Sequence, residues 1–233
     1  MNVTGDDGDM EKVGKLEFWT KDKIGSGLVS HVFSGTYEKS IGVAIKRVQR
    51  TETGSEIDIL KDCHNHINIV NYYCTEQDKY FRYCILILYK RSYWTSPETC
   101  RFSRTKHWSY IATELCDGTL DNWKLLEEVG DKKAVISQIC QGLRFLHEKN
   151  VIHRDLKPTN ILISRPNGSW ENKRRMKISD FDVSRVLKPD KRNFTKTKSS
   201  GSQGWTAPEM YKDARYTIAS DIFSLGNLLI FPK

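Results

Sequence analysis

The stretch that decides the fold is VIHRDLKPTNILI, residues 151–163. Its polar residues, His153, Arg154, Asp155, Lys157 and Asn160, fall in one eight-residue register framed by the apolar pairs Val151-Ile152 and Ile161-Leu162. A carboxylate, an ammonium and a carboxamide held this close suit phosphoryl transfer. Asp155 can accept a proton from a hydroxyl, Lys157 can neutralise a transferring phosphoryl group, and Asn160 can ligate Mg²⁺. A purely structural origin would have to match every position of that register by accident.

Working outward, MKISDFDVSRVL (176–187) places Asp180 twenty residues after Asn160 as a second Mg²⁺ ligand. Its triplet carries Asp182 where the familiar motif of this shape has glycine, which enters positive φ without steric cost. APE at 207–209 closes the intervening loop. Upstream, IGSGLVSHV supplies Gly25, Gly27 and Val32, with Ser30 at the place of a third glycine. Glycines between two strands let backbone amides approach phosphates, although many hairpins look similar. VAIK ends on Lys46, a candidate phosphate-gripping lysine, and Glu56 on the next helix is its candidate partner. Alone, that pair reads equally well as an ordinary surface ion pair. The order of all five elements is what carries the reading.

The 233 residues suffice for one large domain or two small lobes. Lys and Arg total 37 against 29 Asp and Glu, giving a net charge of +8. That balance admits nucleic acid, acidic lipid or phosphorylated partners without selecting one. No basic face interleaved with aromatics supports direct nucleic-acid binding. Six cysteines (63, 74, 84, 100, 116 and 140) show no C-x-x-C pair, which argues against zinc and for reduced thiols. No apolar run approaches the roughly 20 residues of a membrane span, and the acidic start lacks a secretory core, so a cytoplasmic setting is expected.

Strands are expected first and helices second. GSEIDILKDC and DKKAVISQICQGLRFLHEKN show helical spacing of apolar residues, and TLDNWKLL reads as a helix opening behind a threonine cap. The fold class is α+β: a small antiparallel β N-lobe over 15–114 and a mainly helical C-lobe over 115–233, with a hinge near 114–118. Residues 1–14 read as a disordered tail.

On these motifs the chain resembles a eukaryotic protein kinase. SGSQGWTAPEMY, HRDLKPTNILIS and IATELCDGTL further resemble the inositol-requiring kinase/endoribonucleases, the stress sensors of the endoplasmic reticulum, and RNase L. The resemblance implies a bilobal kinase-like fold that binds ATP and Mg²⁺. It implies transfer of the γ-phosphoryl group to Ser or Thr of a protein substrate or of a second copy in trans, and leaves a homodimer open. It implies that Lys46 and Glu56 grip phosphate, and that the backbone of Glu114 and Cys116 pairs with adenine. Thr113 would guard the back pocket, while Val32, Ala44 and Leu162 would sandwich the ring. Arg154 would meet a phosphorylated residue among Thr195, Thr197, Ser199, Ser200 and Ser202.

Two departures qualify the resemblance. Residues 84–110 are an insert that the family pattern does not need, expected to be poorly ordered, and the C-lobe is expected to stop early. Asp182 also matches the triplet of RNase L, whose kinase-like domain mainly senses nucleotide. That keeps a second reading in play, a nucleotide-binding switch with little transfer activity.

Overall fold

Buried Phe33, Val43 and Ile45 alternate with half-exposed Val32, Ala44 and Lys46, and this two-residue period builds an antiparallel sheet with one face inward. The computed structural model describes residues 9–27, 30–49, 54–78, 108–122, 128–166, 173–187, 194–195, 202–212 and 215–230. The chain divides into a first unit of residues 1–53 and 73–112 and a second of 54–72 and 113–233.

The first unit is built on six strands: β1 (Met10–Val13), β2 (Leu16–Ser26), β3 (Ser30–Tyr37), β4 (Ile41–Gln49), β5 (Tyr72–Gln77) and β6 (Trp108–Glu114). They lie in the order β1-β2-β3-β4-β6-β5. Leu16, Phe18, Phe33, Val43, Ile45, Tyr110 and Ala112 form its core, and the Phe18 ring packs tilted against that of Phe33 at 5.0 Å between ring centres. Each buried aliphatic or phenyl side chain contributes about 1.5–3 kcal/mol. Gly35 is required by packing, because a Cβ there would lie 2.5 Å from the Glu17 carbonyl oxygen. Two expectations change here. The tail expected over 1–14 includes strand β1, paired residue by residue with β2. The insert expected over 84–110 gives up its last three residues to β6, because Tyr110 is buried in the core; residues 84–107 lie outside the described residues.

The second unit contains α1 (Gly54–Cys63), β7 (Cys116–Thr119), α2 (Lys132–Glu148), β8 (Val151–Ile152), a 3₁₀ turn (Pro158–Asn160), β9 (Ile161–Ser164) and β10 (Met176–Ile178). After these come β11 (Arg185–Val186), β12 (Phe194–Thr195), α3 (Glu209–Lys212), β13 (Arg215–Tyr216) and α4 (Ile218–Ile230). Strands β10-β9-β7 form one small sheet, and β11-β8 and β12-β13 form two ribbons. Helix α2 starts where the Asp131 carboxylate accepts the Ala134 N–H at 2.7 Å, an N-cap that satisfies an otherwise orphaned donor. It buries Val135, Ile139, Gly142, Leu143 and Leu146 on one face. Gly142 allows close approach, since a Cβ there would meet the Asn68 carbonyl oxygen at 2.8 Å.

The two units have the β-rich and helix-bearing characters expected of an α+β kinase-like fold. The hinge expected at 114–118 is shorter than that: β6 ends at Glu114 and β7 begins at Cys116, because Cys116 already pairs with Ser164 of β9. Of the helix expected from TLDNWKLL (119–126), Thr119 instead ends β7 and residues 120–121 form a turn, while residues 123–126 lie outside the described residues. Among the described residues, no helix is long and apolar enough to cross a membrane.

Candidate active site

The 151–163 stretch is shaped by one buried carboxylate far away in sequence. Asp221, on the first turn of α4 and 1% exposed, accepts the backbone N–H of His153 on Oδ2 and that of Arg154 on Oδ1, each at 2.9 Å. His147 of α2 donates to the same Oδ2 through Nε2 at 2.8 Å. These bonds hold Arg154 at a φ of +73°, a conformation that costs an ordinary side chain energy and persists only when its surroundings enforce it. His153 is fully buried; its Nε2 donates to the Ser179 carbonyl at 2.9 Å, and its ring meets that of Phe181 edge-on at 5.4 Å.

Asp155 projects from this frame into a ring of donors. Lys157 Nζ donates to its Oδ2 at 2.6 Å, and Asn160 Nδ2 donates to the same oxygen at 3.1 Å. Ser202 donates to Oδ1 at 3.0 Å and accepts from Lys157 at 2.8 Å. A second bond from Asn160 Nδ2, to the Asp155 carbonyl at 2.8 Å, fixes the amide. Its nitrogen therefore faces Asp155. The backbone oxygen of Asn160 accepts both the N–H and the hydroxyl of Ser179. The residue before Asp180 is thereby tied to the residue that completes the Asp155 ring.

The 180–182 triplet differs from its expectation. Asp180, not the residue at the glycine position, takes the left-handed conformation at φ +64°, and Asp182 has no positive φ. Aspartate tolerates that region better than most side chains, so the triplet accepts a second acid at 182 without backbone strain. Carboxylate oxygens of Glu56, Asp180 and Asp182 all lie within 4.8 Å of one another. Glu56 was expected as a lysine partner; its own unit sets it beside both acids of the triplet. Arg154 has contacts of its own. Its guanidinium donates to the Val183 carbonyl at 3.0 Å and stacks on the Tyr216 ring at 3.9 Å. Burial pulls its pKa down, opposed by Tyr216. Side chains at Thr195, Thr197, Ser199 and Ser200 lie outside the described residues, and Ser202 belongs to the Asp155 ring.

In the first unit, strand register aligns the glycine-loop residues. Gly25 pairs with Val32, and Val32 pairs with Lys46. Directly paired residues share a sheet face, and Ala44, two residues from Lys46, shares it too. Gly25, Val32, Ala44 and Lys46 therefore form one patch on the face opposite the core. Gly27 donates its N–H to the Ser30 carbonyl at 2.9 Å, closing the β2–β3 turn. In the second unit, Glu114 donates its backbone N–H to the Asn71 carbonyl at 2.9 Å. Burial pushes the Cys116 thiol up to about 12, with Glu114 adding to the effect. Leu162 pairs with Lys177 across β9 and β10, and Thr113 lies in β6 just before Glu114.

The protein kinase domain family matches residues 18–231. The chain belongs to the protein kinase family. The kinase domain is 34% identical over 222 residues to the human serine/threonine-protein kinase/endoribonuclease IRE2, covering 92% of this chain and 21% of that protein. It is 32% identical to the Arabidopsis thaliana serine/threonine-protein kinase/endoribonuclease IRE1b (94% of this chain, 26% of that one). Identity to the human serine/threonine-protein kinase ULK1 is 31% (95% and 20%). The chain thus spans about a fifth to a quarter of the length of these relatives. Two residues that organise this kinase domain were not singled out for these roles in its sequence. Asp221 has no role in the motifs quoted above, and Ser202 enters them only as a phosphorylation candidate, because both act through contacts 45 or more residues away.

Proposed function

We propose that this kinase domain transfers the γ-phosphoryl group of ATP to serine or threonine hydroxyls, including those of a second copy of itself. The ring around Asp155 is the observation that carries this reading. A hydroxyl offered to Asp155 loses its proton to Oδ1 or Oδ2 as its oxygen forms the new P–O bond, and ADP leaves with the broken bridging bond. Lys157, 2.6 Å from the same carboxylate, stabilises the charge of the transferring group and keeps Asp155 oriented. Ser202 fixes both partners, so the base and the lysine move as one. On the first unit, Lys46 and the amides near Gly25 and Gly27 would bind phosphate oxygens, with Val32 and Ala44 against the adenine. On the second unit, Leu162 would offer an apolar surface to the base, Glu114 and Cys116 would offer backbone groups, and Thr113 would limit depth.

The donor set fits Mg²⁺, a hard cation that prefers oxygen. Asn160 presents an amide oxygen and Asp180 a carboxylate, and Glu56 and Asp182 add carboxylates close to Asp180. When bound, Mg²⁺ would neutralise charge on the phosphate oxygens.

Asp182 supports a second reading, a nucleotide-responsive switch with slow transfer, because a third carboxylate beside Asp180 opposes the approach of a polyphosphate. Titration with ADP and Mg²⁺ tests what both readings share. Incorporation of labelled γ-phosphate then separates them: on the first reading wild type turns over readily and Asp182→Gly changes it little. A large gain in Asp182→Gly over a nearly inert wild type would establish the switch instead.

A further inference from the structure

We propose that Lys177 is a positioning residue for the purine-binding segment, acting through Glu114. This rests on the nucleotide reading above. Lys177 sits in β10, three residues before Asp180, and is opposite Leu162 in β9. The flanking Met176, Ile178, Ile161 and Ile163 are buried on the other face of this small sheet, whereas Lys177 and Leu162 are half-buried. The lysine therefore shares the face of the proposed adenine floor.

From there its ammonium reaches Glu114 Oε1 at 2.9 Å, with side-chain exposures of only 12% and 20%. That oxygen is sealed from solvent and has no aligned hydrogen bond, so the charge of Lys177 is what compensates it. Lys177 Nζ also donates to the Ile69 carbonyl at 3.3 Å. Backbone bonds complete the frame: Ile178 N–H to Asn68 O, Val70 N–H to Ile178 O, and Glu114 N–H to Asn71 O, each at 2.9 Å. One lysine thus ties together segment 68–71, the strand leading to Asp180, and the residue whose backbone would read the purine.

A lysine acting through Glu114 sets where the base sits and leaves the phosphate-binding groups untouched. The test uses the full chain with Mg²⁺ and two probes, ADP and inorganic tripolyphosphate, by calorimetric titration. Lys177→Met is expected to weaken ADP about ten-fold through misplacement of the binding segment, with tripolyphosphate changed less than about two-fold. Lys177→Arg should recover most of the ADP affinity. Lys177→Met combined with Glu114→Gln should bind ADP no worse than Lys177→Met alone, because both remove one interaction. Equal losses for both probes, or ADP affinity unchanged in Lys177→Met, overturn the proposal while leaving nucleotide binding intact. If Lys177→Met does not fold, Lys177→Arg and Glu114→Gln carry the same comparison. Wild type that binds neither probe overturns the nucleotide reading itself, and this proposal with it.

Discussion

Replacing Asp221 with asparagine is the sharpest probe of how the Asp155 loop is held. Three donors converge on its two oxygens: His147 and His153 on Oδ2, Arg154 on Oδ1. Asparagine offers one oxygen and one amino group. With the oxygen toward His147 and His153 it keeps two bonds, and the Arg154 N–H then faces another donor. The opposite orientation strands two donors, so the first prevails. The stranded, buried N–H costs about 1–3 kcal/mol, and the two surviving bonds lose their charge assistance, about 1 kcal/mol each. The total is about 3–5 kcal/mol, a large share of the stability of an ordinary domain. The loss falls on Arg154, whose φ of +73° then lacks its enforcing bond. Urea unfolding should show the lowered midpoint, and amide exchange at residues 153–155 should accelerate more than in the middle of α2. A change under about 1 kcal/mol with unchanged exchange at Arg154 would refute this account of the loop.

Three smaller changes follow from the same geometry. Asp131→Ala removes the α2 cap and should cost about 1 kcal/mol in urea unfolding, with Asp131→Asn or Ser costing less. Gly142→Val drives a side chain into the Asn68 carbonyl and should destabilise by about 1–3 kcal/mol or more, read as a lower thermal midpoint. The Cys63 and Cys116 thiols, pushed up by burial to about 11 and about 12, stay protonated at pH 8. They should alkylate with iodoacetamide far more slowly than a free thiol, and denaturant should abolish the difference.

The sequence was most readable where chemistry and chain order coincide. Asp155, Lys157 and Asn160 are neighbours in the chain and neighbours in space, so their register alone conveyed their association. The strands carrying Val32 and Lys46 were likewise expected from short local stretches of sequence. Contacts that close over long separations were opaque. Nothing near Asp221 says that it caps a loop 67 residues earlier, and the hydroxyl of Ser202 looks like any other in a serine-rich loop. The glycine argument at position 182 failed for a local reason. The backbone spends its positive φ at Asp180 instead, which frees position 182 for a carboxylate beside Glu56. Tyr216 was equally silent, because an aromatic ring 3.9 Å from the Arg154 guanidinium requires α3 and β13 to bring it there.

Phosphoryl transfer is the work proposed for Asp155 and its ring. Its most direct test is incorporation of γ-labelled phosphate into the purified chain with Mg²⁺ and ATP, beside Asp155→Ala. Time-dependent labelling of serine and threonine is expected in the wild type, and its loss, by about 10²-fold or more, in the variant. Equal labelling of the two proteins, or none in a wild type shown to bind ADP, would contradict it.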